Sequence, residues 1–173
     1  MRNITVALLS ETWDKSDNKT FQRKIGEMLK LKGFRSSCAN RKTKRGGGVA
    51  IIHNTEDIDM IDPEIMVPHN LEVIWRVGRP KKGPRKNIIF GAIHYPPRAR
   101  KKEKIKTHIL ETLHLLMARY PEAEICIGGD KNELKLDEIV NGIPGLKQVM
   151  TPPTHKTKTI DVILTTMRDS YKQ

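Results

Sequence analysis

Between residues 71 and 127 the hydrophobic period of the chain switches from strand to helix and back, which limits the open folds more than any other feature. Leu71 to Val77 and Asn87 to Ile93 are short runs rich in β-branched and aromatic residues. The segment joining them, Gly78-Arg79-Pro80-Lys81-Lys82-Gly83-Pro84-Arg85-Lys86, is made of glycine, proline and positive charge, so it predicts a long hairpin connection with a basic tip. From Lys101 to Tyr120 the spacing becomes helical: Ile105, Ile109, Leu113, Leu116 and Met117 share one face, the opposite face is mostly lysine and glutamate, and Pro121 closes the helix. Ala123 to Ile127 reads as a strand again. Interleaved strands and helices call for an α/β fold, and a hairpin among them argues against a purely parallel doubly wound sheet. A mixed two-sheet α/β sandwich fits better.

The remaining elements follow the same logic. Ile4 to Leu9 is an almost continuous apolar run, expected as a strand buried on both faces. Phe21, Ile25, Met28 and Leu29 recur at helical spacing within Asn18 to Lys32, and Gly33 supplies a left-handed stop. Val49 to Ile52 reads as a strand entered through Lys42-Thr43-Lys44-Arg45-Gly46-Gly47-Gly48, and a weak helix at Leu136 to Val140 and a strand at Ile160 to Leu164 end the series. No internal boundary stands out, so residues 1–173 are read as one domain. The opening apolar run is too short to span a membrane and lacks a cleavage site, which points to a soluble intracellular chain. Cys38 and Cys126 have no metal-ligand spacing around them. A formal net charge of +12 favours a polyanionic partner such as DNA or RNA, although the same charge also serves as a solubilising surface.

Three acids sit where apolar strands end or begin: Glu11, Asp130 and Asp161. Each alone is an ordinary turn residue. Together at one sheet rim they offer the hard oxygen ligands for Mg²⁺ and the acceptors for a base that phosphodiester hydrolysis needs. Gly128-Gly129-Asp130-Lys131-Asn132 adds glycines that let backbone approach a phosphate, with an acid and an amide two residues apart on an extended segment, hence facing one side. There the aspartate can activate water and the amide can hold a phosphate oxygen. Gly46-Gly47-Gly48 lacks the ending of a phosphate-binding loop and precedes a strand, so a structural turn is expected there.

The order of motifs is more specific than any one of them. Leu9-Ser10-Glu11-Thr12-Trp13, Arg45-Gly46-Gly47-Gly48-Val49-Ala50, His94-Tyr95-Pro96-Pro97, Gly129-Asp130-Lys131-Asn132, and Pro153-Thr154 leading to Ile160-Asp161-Val162 follow one another across nearly the whole chain. This series resembles the endonuclease domain of non-long-terminal-repeat retrotransposons, a branch of the endonuclease/exonuclease/phosphatase family. The resemblance implies a four-layer sandwich of two mixed β-sheets flanked by helices. It makes Glu11 the ligand of a catalytic Mg²⁺ or Mn²⁺, Asp130 the residue that positions the attacking water, Asn132 a contact to the scissile phosphate, and Asp161 the carboxylate that orients a histidine. It implies DNA as partner, a monomer, a place beside a reverse transcriptase in a longer polyprotein, and a setting that includes the nucleus. A lipid or inositol phosphatase is disfavoured by the motif set and the charge.

Several positions depart from the family pattern. His94 stands where the family has tyrosine, and Tyr95, displaced by one residue, is expected on the opposite face of the strand. His94 is retained as a catalytic candidate because it can donate a hydrogen bond to phosphate. Lys131 replaces an apolar residue and is expected to reach solvent or phosphate, and His155 replaces an arginine. Arg45, Arg98, Lys131 and Thr154 are the candidate nucleic-acid contacts, within a surface that would also gather Lys81-Lys82 and Arg85-Lys86 if those clusters share the rim. The family's upstream asparagine strand and downstream Ser-Asp-His segment are not in the sequence, so the resemblance implies an incomplete sandwich and exposed strand edges. With no histidine for Asp161 to orient, turnover is expected to be weak or absent, leaving a nucleic-acid-binding remnant as the alternative.

Overall fold

The computed structural model of the chain describes residues 4–13, 23, 26–40, 46–83, 85–97, 102–150, 152–155 and 157–167. In chain order the elements are β1 (Val6–Ser10), α1 (Gly26–Lys30), β2 (Phe34–Ala39), β3 (Val49–Asn54), β4 (Ile58–Ile61), β5 (Glu72–Pro80), β6 (Ile88–His94), α2 (Lys102–Arg119), β7 (Glu124–Asp130), α3 (Asp137–Gly142), β8 (Lys147–Gln148) and β9 (Asp161–Thr165). They form a three-stranded sheet in the order β1-β3-β2 and a six-stranded sheet in the order β4-β5-β6-β7-β9-β8. The smaller sheet is antiparallel, and the larger is mixed because β6 and β7 run parallel. That parallel pair follows from connectivity: α2 is the crossover between β6 and β7, whereas β5 and β6 are joined by the basic hairpin.

The larger sheet is apolar on both faces, which is why its central strands read as continuous hydrophobic runs. On one face Val73, Trp75, Val77, Ile89, Ile93, Ile125 and Ile127 pack with Ile105, Ile109, Leu113 and Leu116 of α2. On the other, Ile74, Phe90 and Ala92 meet Val49 and Ile51 of the smaller sheet, together with Ile58. Period-2 alternation along β5 therefore feeds two cores at once. Leu113 is fully buried at the centre of the helical layer, so Leu113→Ala is expected to cost about 2–5 kcal/mol in a denaturant titration. Outside this face, Nζ of Lys106 donates to both oxygens of Glu138 at 2.9 and 2.8 Å and ties α2 to α3.

Two histidines are built into the fold in their neutral form. Nε1 of Trp75 donates to Nε2 of His108 at 3.3 Å, and burial lowers the His108 pKa. Burial also lowers the pKa of His53, with Arg35 and Arg76 adding to the effect. A base with a folded pKa below its unfolded one contributes stability that is full above the unfolded value and lost as pH falls through the folded value. Thermal melts are therefore expected to stay level above about pH 6.5 and decline below it. His108→Gln, which keeps an acceptor for Trp75, is expected to flatten part of that decline, and an unchanged profile would contradict it.

The elements differ from the sequence reading in places that have physical reasons. β2 and β4 carry no strong period-2 pattern and are the edge strands of their sheets, formed by pairing with β3 and β5. β1 is half-buried along its length instead of covered on both faces, because it too lies at an edge among the described residues. The first helix is described only at Gly26–Lys30, with most of its expected N-terminal part outside the described residues, and Gly33 does stop it, at φ 75°. β7 runs on through Gly128 and Gly129 to Asp130, past the end expected at Ile127.

Candidate functional site

One rim of the sandwich collects the ends of strands from both sheets. β1 ends at Ser10 where β3 begins, β5 begins at Glu72 opposite His94 at the end of β6, and His94 is in register with Asp130. Asp130 is in turn in register with Asp161 at the start of β9. The rim therefore carries Glu11, Glu72, His94, Asp130 and Asp161, and the first, third, fourth and fifth of these are the sequence candidates.

The three glycines before β3 hold the first part of this site. Gly46, Gly47 and Gly48 have φ of 83°, 79° and 87°, a left-handed run that L side chains disfavour. It turns successive N–H groups toward carboxylates: Gly47 N donates to Oε2 of Glu11 at 2.9 Å, and Gly48 N to Oε2 of Glu72 at 2.7 Å. The run is a structural turn, as expected, and also an anion-holding one. Glu11 itself has φ 56° and is fixed from the other side, since Trp13 N donates to Gly47 O at 2.9 Å.

His94 bridges the two glutamates. Its ring is only 1% exposed, with Nδ1 at 2.7 Å from Oε2 of Glu72 and Nε2 at 2.9 Å from Oε1 of Glu11. The second contact has the separation of an ion pair but not the direction of a hydrogen bond, and Nε2 is left without a hydrogen-bond partner. The direction is the more informative of the two facts, because a buried nitrogen gains little from an acceptor it does not point at. Tyr95 is turned away into the core under α2, as the one-residue shift requires. Glu72 was missed from the sequence. Its signal was a lone acid opening an otherwise apolar strand, paired across the hairpin with His94.

Asp130 and Asn132 are brought together differently from the sequence expectation. Asn132 has φ 42°, so the segment turns instead of staying extended, and its backbone N–H donates to Oδ1 of Asp130 at 2.9 Å. Its side-chain Nδ2 donates to the carbonyl of Tyr95 at 2.9 Å. Burial raises the Asp130 pKa, and the nearby Asp161 carboxylate adds to this, against opposing contributions from the Asn132 N–H and His94. The Asp161 carboxylate is exposed and makes no hydrogen bond or ion pair among the described residues. The hydroxyl of Thr154 accepts from the N–H groups of Ile160 and Asp161 at 3.1 and 3.0 Å, so it shapes the entry to β9. Lys131 is half-exposed and, with Asn132, Lys135 and Gln148, lines a cleft of about 410 Å³ beside the rim.

The basic clusters divide. Arg45 and Arg98 lie outside the described residues, although each is a few residues along the chain from the rim. The hairpin tip is at the other end of β5 and β6, roughly 25 Å from His94 at about 3.3 Å per residue. There Lys81 pairs with Asp59 at 3.0 Å, so the condition for counting this cluster with the rim is not met. Among the described residues no group of three or more His, Cys, Asp or Glu side chains is placed to hold a metal ion. None of the described helices is long and apolar enough to cross a membrane.

No family profile matches the chain, and no curated protein matches its sequence. Solved structures do match its fold. The human Nocturnin catalytic domain aligns with TM-score 0.69 over 94% of this chain and 69% of that one, at 11% identity. An endonuclease/exonuclease/phosphatase family protein from Bacteroides thetaiotaomicron gives 0.60 over 93% and 83%, at 14% identity. The endonuclease domain of TRAS1, a telomere-specific non-LTR retrotransposon, gives 0.58 over 93% and 84%, at 13% identity. At such identities the likeness establishes the fold: the chain has the α/β sandwich of endonuclease/exonuclease/phosphatase structures.

Proposed function

We propose that this chain is a retrotransposon-derived endonuclease domain that binds DNA and hydrolyses its phosphodiester bonds slowly. The observation that carries this reading is the register that sets His94, Asp130 and Asp161 side by side, with Glu11 reaching His94 from the other sheet. The fold shared with the TRAS1 endonuclease domain and the ordered motif series support the retrotransposon origin.

In this reading Asp130 accepts a proton from the attacking water, and the pKa raised by burial makes it a stronger base than an exposed aspartate. Asn132 fixes Asp130 through its N–H, and its own side chain is held by the Tyr95 carbonyl. Lys131 lies beside them as a contact to the DNA backbone. The divalent ion that the resemblance implies fits the residues present: Glu11 is a half-exposed carboxylate held rigidly by Gly47, beside a buried nitrogen that has no hydrogen-bond partner. When bound, such an ion polarises a phosphoryl oxygen and lowers the pKa of its water. Slow turnover is part of the proposal: the resemblance gives the aspartate at position 161 a histidine to orient, and among the described residues the Asp161 carboxylate makes no such contact.

Supercoiled plasmid incubated with Mg²⁺ or Mn²⁺ tests the proposal. Slow conversion to nicked circles, abolished by EDTA, is expected, together with binding that weakens steeply as salt rises. Salt-sensitive binding without any nicking would instead favour a non-catalytic nucleic-acid-binding domain. Absence of both would exclude either reading.

A further inference from the structure

The contact between Glu11 and His94 is anomalous as a contact between two protein groups alone. Nδ1 of His94 faces Oε2 of Glu72 at 2.7 Å, which fixes the ring. Nε2 is buried and 2.9 Å from the oxygen of a second carboxylate, with no hydrogen bond between them. A ring nitrogen and a carboxylate oxygen this close would ordinarily be joined by a hydrogen bond. Two ligands of one cation stand in this relation, each pointing at the ion and not at the other.

The surroundings repeat the pattern of an imidazole ligand. A metal-binding histidine characteristically donates its other ring N–H to a carboxylate, and a ligating carboxylate is characteristically held by a hydrogen bond of its own. Glu72 does the first for His94, and Gly47 does the second for Glu11, whose Oε2 accepts at 2.9 Å while Oε1 faces the ring. Glu72 is itself anchored by Gly48, so the supporting shell is rigid.

We propose that Nε2 of His94 and Oε1 of Glu11 are joint ligands of one divalent cation, with Glu72 as the positioning residue for the ring. A nitrogen donor beside an oxygen donor shifts preference away from Mg²⁺ and toward first-row transition ions such as Mn²⁺, Co²⁺ or Zn²⁺. The remaining coordination positions fall to water and phosphate, which is why two protein ligands suffice. This inference names the cofactor of the site proposed above and rests on that reading for its catalytic meaning, but its test needs no cleavage.

Metal-stripped protein titrated calorimetrically with Co²⁺ alone and with Mg²⁺ alone supplies the test. Co²⁺ is expected to bind about tenfold or more tighter than Mg²⁺. Glu72→Gln is expected to weaken Co²⁺ binding by about 10–100-fold, and His94→Gln by at least as much, while Mg²⁺ binding changes less. Circular dichroism reports whether each variant folds. In the unaltered chain, Co²⁺ is also expected to shift the His94 ring resonances in NMR spectra, so the outcome does not depend on a variant. Equal affinities for the two ions, or His94 resonances unmoved by saturating Co²⁺, would overturn the inference. His94-dependent Co²⁺ binding without plasmid nicking would sink only the nuclease reading, whereas nicking with no such preference would sink only this one.

Discussion

Gly129→Ala is expected to leave no stable folded protein. Gly129 has φ 139°, and a Cβ built there would overlap the carbonyl oxygen of Ile93 and lie 2.9 Å from its carbonyl carbon. Those atoms are backbone of β6, the parallel neighbour of β7, so they cannot move aside without breaking the ladder at the centre of the larger sheet. The expected loss exceeds about 4 kcal/mol, a large share of a domain's total stability. Gly83→Ala is the control: its φ is 77°, nothing lies within 4 Å of the added Cβ, and only about 1–2 kcal/mol of backbone strain is expected. Chemical denaturation separates the two, and a Gly129→Ala protein of near-normal stability would mean that β7 does not follow this path. The glycine belongs first to the sheet, and the expected close approach to phosphate is not needed to explain it.

Asp130→Asn is expected to lower the rate of DNA cleavage by about 10²–10⁴-fold while raising thermal stability near neutral pH. The second half follows from the sign of the linkage. Burial raises the folded pKa of Asp130 above its unfolded value, so its contribution to stability is largest below the unfolded pKa and declines as pH rises through the folded one. At neutral pH the folded state therefore holds an unfavourable charge that asparagine removes. The amide oxygen can still accept from the Asn132 N–H. Melting curves at neutral and acidic pH check this, with the gain over the unaltered chain expected to shrink on acidification. A variant that is both slower and less stable at neutral pH would show that Asp130 is a structural residue.

The elements that could be read from the sequence were those whose pattern is set by their own burial. α2 places its apolar residues on one face because it lies on a sheet, and β5, β6 and β7 are apolar on both sides because they lie between two layers. β2, with the sequence Phe34-Arg35-Ser36-Ser37-Cys38-Ala39, is an edge strand whose side chains are at most half-buried, so its identity comes from the ladder with β3 and not from its composition. The site divides in the same way. Glu11, Asp130 and Asp161 were legible because a carboxylate at a strand end is conspicuous. The role of Glu72 depends on which residue faces it across a hairpin, and a hairpin register over a nine-residue connection cannot be read from residue types. Asn132 could be named but not oriented, because one left-handed residue redirects its side chain to Tyr95.

Glu11 comes from the smaller sheet and Asp130 from the larger, and the account holds that both act on one phosphodiester. Single-turnover cleavage of DNA by the unaltered chain, Glu11→Gln, Asp130→Asn and the combined variant measures this coupling. The combined variant is expected to be about as slow as the slower single variant, as for groups that act as a unit. Cleavage that neither substitution slows would contradict the account.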